Sequence, residues 1–404
     1  MQNRRDFLRA GVSLGLGGAL AAALPGVAFA AAPGAAPFVV VILRGALDGL
    51  SAAPPFGDSD YAGARGAIAI ARPGERNGAL DLDGFFGLHP ALPLLHERYA
   101  AGELLLVHAT ASGYRERSHF DGQNVLENGG ERPSGTASGW LNRALGAATA
   151  RNVTGLALGQ NVPLILRGPV PVGSWAPSAL PEVEPELVER LRDLYSNDAT
   201  LAARLDEGTR IDSLAEGEMA ADGDTMRRTR GGGIERLKAI AATAGRMMAA
   251  ADGPRVAVFD AGGWDTHAGE GGAQGQLAGR LGGLDQVLDA LRLGLANEWS
   301  RTAVLVCTEF GRTVQVNGTR GTDHGTGAAA FVVGGRVRGG RVLADWPGLA
   351  ERHRYEGRDL RPTTDLRAVA KGLLAAQLDL GERALAEVFP GTESVRPVKD
   401  LVRA

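Results

Sequence analysis

Phe38-Val39-Val40-Val41-Ile42-Leu43 is an unbroken apolar run rich in β-branched residues, and it stops abruptly at Arg44-Gly45-Ala46-Leu47-Asp48-Gly49. A strand exposed on one face alternates polar and apolar residues; a run without alternation is expected of a central parallel strand covered on both faces. Leu104–Ala109, Arg255–Asp260, Ala303–Thr308 and Ala328–Val333 repeat the pattern. Helical spacing separates most of these runs. His89–Tyr99 carries an early proline, and Leu277–Leu295 places leucines at 277, 281, 284, 288 and 291. Strands alternating with helices predict right-handed βαβ units, hence an α/β chain with a three-layer build: a central, mostly parallel sheet flanked by helices. The segment 181–233 breaks this rhythm. It is charged, spaces Leu187, Leu191 and Leu194 helically, and ends in a polar run, so it reads as a helical insertion outside the sheet.

Arg4-Arg5 precedes a weakly apolar stretch from Gly11 to Leu24, and Ala28-Phe29-Ala30 comes after it. Paired arginines, a short apolar region and small residues at a cleavage position, in that order, read as a twin-arginine export signal over 1–30. The expected partner in export is the twin-arginine translocase, and the expected compartment is periplasmic or otherwise extracytoplasmic. No other apolar stretch reaches membrane-spanning length. Among 404 residues the net charge is -3, which excludes the basic footprint of a nucleic-acid binder. The sole cysteine, Cys307, excludes an intrachain disulfide. Removal of the signal leaves about 370 residues, sufficient for one large α/β domain, read here as 38–404.

In open parallel sheets ligands bind beyond the carboxyl ends of the strands, and the polar residues of this chain gather there. Arg44 to Asp48 follows the first run, and Arg117-Ser118-His119 the second. Asp265-Thr266-His267 follows the third, Glu309-Phe310-Gly311-Arg312 the fourth, and Asp323-His324 precedes the fifth. Three of the seven histidines thus lie at one rim, each within two residues of an aspartate. Carboxylate and imidazole together suit zinc or manganese; carboxylates alone suit calcium or magnesium. Each residue also has a plainer reading. Asp48 can hold a turn, Ser118 can cap a helix beginning at His119, and Glu309 can pair with Arg312.

The motifs Arg-Gly-Ala-Leu-Asp-Gly-Leu, Arg-Ser-His-Phe-Asp, Gly-Gly-Trp-Asp-Thr-His, Glu-Phe-Gly-Arg-Thr and Gly-Thr-Asp-His-Gly occur in this order. From about Phe38 onward the chain resembles the exported bacterial family known as DUF1501. That family in turn is similar to a remote branch of the alkaline phosphatase and sulfatase superfamily. The resemblance implies an alkaline-phosphatase-like core and one or two divalent ions held by Asp48, His119, Asp265, His267, Glu309, Asp323 and His324. It further implies a nucleophile at Ser118, with Arg44, Arg117 or Arg312 binding a tetrahedral anion. The implied activity is hydrolysis of phosphate or sulfate esters, either small molecules or envelope-derived. Pro362–Leu366 also resembles a C-terminal element of sulfatases. Two departures stand out: Phe310 occupies a place where the superfamily carries histidine, and Asp265 and His267 are closer in sequence than usual. The alternative is an exported binding protein that keeps the fold and one ion without catalysis.

Overall fold

A computed structural model describes residues 35–148, 153–177, 185–220 and 233–403. The segment read as an export signal lies outside these residues, as does most of the insertion's polar tail. The strands are β1 (Phe38–Arg44), β2 (Leu80–Asp81), β3 (Gly87–Leu88), β4 (Leu104–Ala111), β5 (Gly155–Leu158), β6 (Gly173–Trp175), β7 (Val256–Gly262), β8 (Ala303–Cys307), β9 (Ala328–Val333), β10 (Arg341–Leu343) and β11 (Thr364–Asp365). The helices are α1 (Gly49–Ala52), α2 (Tyr61–Arg65), α3 (Pro93–Ala100), α4 (His119–Asn128), α5 (Trp140–Ala147), α6 (Pro185–Tyr195), α7 (Ala199–Ala220), α8 (Gly233–Ala249), α9 (Gln276–Leu295), α10 (Leu366–Gln377) and α11 (Glu382–Val388).

Nine strands form one sheet in the order β10-β4-β9-β8-β1-β7-β5-β6, with β11 also on β4. The five apolar runs occupy its centre. Strand β1 shows why its sequence does not alternate. Phe38, Val40 and Ile42 pack into a core with Trp140 of α5 and Leu373 of α10, while Val39, Val41 and Leu43 pack on the opposite face with Leu281 and Leu288 of α9. Both faces are therefore dry, and each fully buried aliphatic side chain contributes about 1.5–3 kcal/mol. This is the expected three-layer α/β build.

Every pairing in the sheet is parallel except those of β9, which runs antiparallel to β4 and β8. The reversal has a plain cause. Parallel neighbours need a crossover that carries the chain back to the starting edge, usually a helix, and residues 308–327 between β8 and β9 contain none. The chain instead folds over the carboxyl end of β8 and re-enters the sheet from the same rim. Asp323 and His324 are delivered there by this reversal.

Two local readings are corrected. The helix expected from His89 begins at Pro93, which occupies its first turn, because Ala91 and Leu92 precede it in non-helical backbone. The short strands β5 and β6 escaped the sequence reading; their glycine-bounded runs of three or four residues carry too little pattern. In the insertion, α7 lays Ile211 and Ala215 against Leu156, Trp175 and Met247 beside these strands. No helix among the described residues is long and apolar enough to cross a membrane.

Candidate metal centre

Three loops meet at the carboxyl rim: the one after β4, the one after β7, and the long return from β8 to β9. Their approach is close. A side chain at Gly321 would collide with the His267 carbonyl, so glycine there lets the return loop lie against the Asp265–His267 segment. His119 opens α4, and Asp265, His267 and His324 come from the other two loops.

The tautomers of the three rings follow from their Nδ1 partners. His119 Nδ1 lies 2.8 Å from Glu309 Oε1, His324 Nδ1 lies 2.9 Å from the Arg117 carbonyl, and His267 Nδ1 lies 3.2 Å from Asp323 Oδ1. In the neutral rings each Nδ1–H then has an oxygen acceptor, and each Nε2 carries a lone pair. All three Nε2 atoms turn toward Asp265. Its Oδ1 is 3.1 Å from His267 Nε2 and 3.2 Å from His324 Nε2, and its Oδ2 is 3.5 Å from His119 Nε2. The Nε2 atoms of His267 and His324 stand 2.9 Å apart. Two lone pairs at that distance repel unless a proton or a cation lies between them. His119 Nε2 is buried and makes no hydrogen bond. Ligand atoms on a tetrahedral zinc ion, each about 2.0–2.1 Å from the metal, sit about 3.3 Å from one another. The observed separations bracket that value. Ligand atoms of His119, Asp265 and His324 lie mutually within 4.8 Å, and His267 lies beside that group, against Asp265 and His324. His119, Asp265 and His324 present a donor set that fits a metal ion.

A second layer of residues sets this geometry. Burial opposes ionisation of Glu309, but hydrogen bonds from His119, Gln123 and the Gly45 amide outweigh it and hold the carboxyl below the usual carboxylate range. Its other oxygen accepts from Thr308 at 2.9 Å. Glu309, expected as a ligand, therefore orients His119. Asp323, also expected as a ligand, plays the same part for His267 while accepting from Asn317 at 3.0 Å. Carboxylate–imidazole pairs of this kind fix a ligand's tautomer and increase its basicity. The hydrogen bond from His119 to Glu309 accordingly raises the ring's proton affinity, whereas burial lowers that of His324. Asp265 stays ionised: burial works against it, and the Arg312 hydrogen bond and charge prevail.

Residues 108–381 match the family model described as "Protein of unknown function (DUF1501)". The chain belongs to that family. No curated protein sequence matches it. Among solved structures, it is similar over 90% of its length to 77% of the chain in "Crystal structure of Ps i-CgsB in complex with k-i-k-neocarrahexaose", at 9% identity and a TM-score of 0.35. It is also similar over 85% of its length to 74% of the phosphonate monoester hydrolase of Agrobacterium radiobacter, at 13% identity and a TM-score of 0.36.

Other expected site residues of this DUF1501 chain fall elsewhere. Asp48 is 1% exposed and stands outside the imidazole group. It caps α1 through the Leu50 and Ser51 amides and forms an ion pair with Arg65, which is itself fully buried. Burial opposes Asp48 ionisation, and the Arg65 charge reverses that, so its carboxyl is held low. Glu270 completes this cluster; burial and the adjacent Asp48 charge push it up to about 9, so it is protonated at neutral pH. Arg312, expected to bind an anion, is buried with all three nitrogens engaged, donating to Asp265 at 2.6 Å and to Thr322. It positions Asp265. Arg117 pairs with Asp359 and Glu356, and Arg44 with Glu127 and Asp260. Phe310 stacks on His119 with ring centroids 5.0 Å apart and puts an apolar wall beside it.

Ser118 occupies the N-cap position of α4 without capping it: its side chain accepts no helix amide, and its hydroxyl has no partner among the described residues. The preceding residue, Arg117, is held at a φ of 63°, in the left-handed region that non-glycine residues rarely adopt. Its two ion pairs and the hydrogen bond from His324 to its carbonyl keep it there. The sequence reading missed Arg65, Glu270 and Gln123, which sit singly between unrelated neighbours. The one available signal was Gln123, which falls one helical turn after His119.

Proposed function

We propose that this chain is an exported metal-dependent hydrolase of phosphate or sulfate esters, built on a single transition ion. The observation that carries the reading is that three imidazoles, each with Nδ1 on an oxygen, turn their Nε2 atoms onto one carboxylate, and that His119 Nε2 makes no hydrogen bond among the described residues. His119, His267, His324 and Asp265 would hold the ion, which supplies Lewis acidity and favours an ionised oxygen nucleophile. Three imidazoles with one carboxylate suit zinc or manganese better than calcium or magnesium. A single ion fits because the residues of a second site are otherwise engaged: Asp48 by Arg65, Glu309 by His119, and Phe310 by its lack of a donor.

Ser118 supports the hydrolytic part. Its free hydroxyl stands next to His119 in sequence, at the positive end of a ten-residue helix whose first amides it leaves unfilled. A strained residue immediately before it aims the side chain at the cost of local stability. The order of motifs along the chain is that of the alkaline phosphatase and sulfatase superfamily, which supports tetrahedral oxyanion esters as substrates. Periplasmic or other extracytoplasmic location and passage through the twin-arginine translocase rest on residues 1–30 and are tested by N-terminal sequencing of the exported form; an intact Met1 there contradicts them.

One observation favours the second reading, a non-catalytic exported binding protein that retains the ion. Arg44, Arg117 and Arg312 are all ion-paired, so none is free to meet an anion. The deciding experiment is a screen of aryl phosphate, phosphonate and sulfate esters with the zinc- and manganese-loaded protein. Turnover that Ser118→Ala abolishes supports the hydrolase; metal binding with no turnover supports the binding protein.

A further inference from the structure

A groove of about 810 Å³ lies between α8 and α9 beyond the end of β7. Phe259 and Leu284 give it an apolar wall, and Arg236 and Arg280 bring positive charge. Arg280 makes no ion pair or hydrogen bond among the described residues, unlike Arg44, Arg117 and Arg312. Its guanidinium lies over the backbone of Gly263, whose φ is 90° and where any side chain would collide with Nη1. Among the described residues Arg236 donates only to the Pro177 carbonyl, at 3.3 Å. Trp264, also in the wall, is 3% exposed, and its indole N–H has no acceptor. Gly263 and Trp264 run directly into Asp265, so the groove and the metal centre share a loop.

We infer that this groove binds an organic oxyanion, a carboxylate, sulfate or phosphate carried on an apolar body, with the oxyanion on Arg280. A guanidinium free of carboxylates is poised for bidentate contact with such a group, and the apolar wall takes the remainder of the molecule. The groove is a substrate site only if the hydrolase reading holds; binding itself does not depend on it.

Calorimetric titration with naphthalene-2-sulfonate, against neutral 2-naphthalenemethanol, tests the inference on the wild type with and without a chelator. The sulfonate should bind in both states and the neutral compound far more weakly. Arg280→Gln should weaken sulfonate binding by roughly tenfold or more, with unchanged melting temperature and metal content because the side chain is exposed. Leu237 is an exposed residue of the groove lining, and Leu237→Glu, which sets a carboxylate there, should weaken it too. Sulfonate binding that disappears with the chelator places the anion on the metal and overturns the inference. So does equal binding of the neutral compound, absence of sulfonate binding, or unchanged affinity in either variant. Failure of the metal reading would instead show as a protein that binds the sulfonate and carries no ion.

Discussion

Two acidic clusters lie at the same rim of the sheet and do opposite things with their charge. Around Asp48 the acids are closed by arginine. Arg65 bonds Asp48, Ser51 and the Thr313 and Val314 carbonyls, and Glu270 escapes charge by keeping its proton. Around Asp265 the charge is only half met: Arg312 holds one side, and three imidazole lone pairs face the other. A buried acid with its own guanidinium holds loops together; an acid facing basic nitrogens that have no hydrogen to give is set up for a cation. Residue type alone does not separate the two, since both clusters carry aspartate, glutamate and arginine.

The comparison breaks most visibly at Ser118. On an ester that the wild type hydrolyses, Ser118→Ala should lose about 1000-fold or more in turnover if the hydroxyl is the nucleophile. An active Ser118→Ala removes the nucleophile from the account and leaves only the ion site. In the closed cluster the large effect is on stability instead. Arg65→Leu strands a buried carboxylate and should cost about 3–5 kcal/mol in denaturant unfolding while leaving metal affinity unchanged. A loss of metal affinity as large as that of Asp265→Ala would mean that the two clusters are one site.

Glu309→Gln sharpens the other side. It keeps the shape and removes the charge that orients His119, so zinc affinity should fall about 10–100-fold in a competition titration. An unchanged affinity would return Glu309 to a purely structural part. A last effect concerns pH. Glu270 takes its proton on folding, because its carboxyl is raised to about 9 from an ordinary value of 4.5. Its contribution is complete below pH 4.5 and declines as pH rises toward about 9, where the folded group also ionises. Between those limits Glu270→Gln should flatten the fall of melting temperature with pH. A curve as steep as that of the wild type would contradict the protonated assignment.

The sheet was legible because a strand with two dry faces writes itself as an apolar run, as at Phe38–Leu43. The reversed direction of β9 was not, since a polar loop of some twenty residues does not announce whether it crosses over or folds back. At the rim, Asp265, His267, His119 and His324 do converge. Which acid meets Nε2 and which meets Nδ1 was hidden, because that depends on how each ring is turned. Glu309 and Asp323 carry the ligand chemistry of Asp265 and yet face Nδ1. Arg65 was invisible for a different reason: an arginine in a short helix reads as surface until the fold buries it.

The central claim is one transition ion on three imidazoles and Asp265, and metal stoichiometry tests it directly. Purified, chelator-stripped protein titrated with zinc should take up about one ion per chain with a rise in melting temperature. Asp265→Ala and His324→Ala should abolish both, and Asp48→Asn should leave the stoichiometry unchanged. No saturable uptake by the wild type, or a second ion lost with Asp48→Asn, would contradict the account.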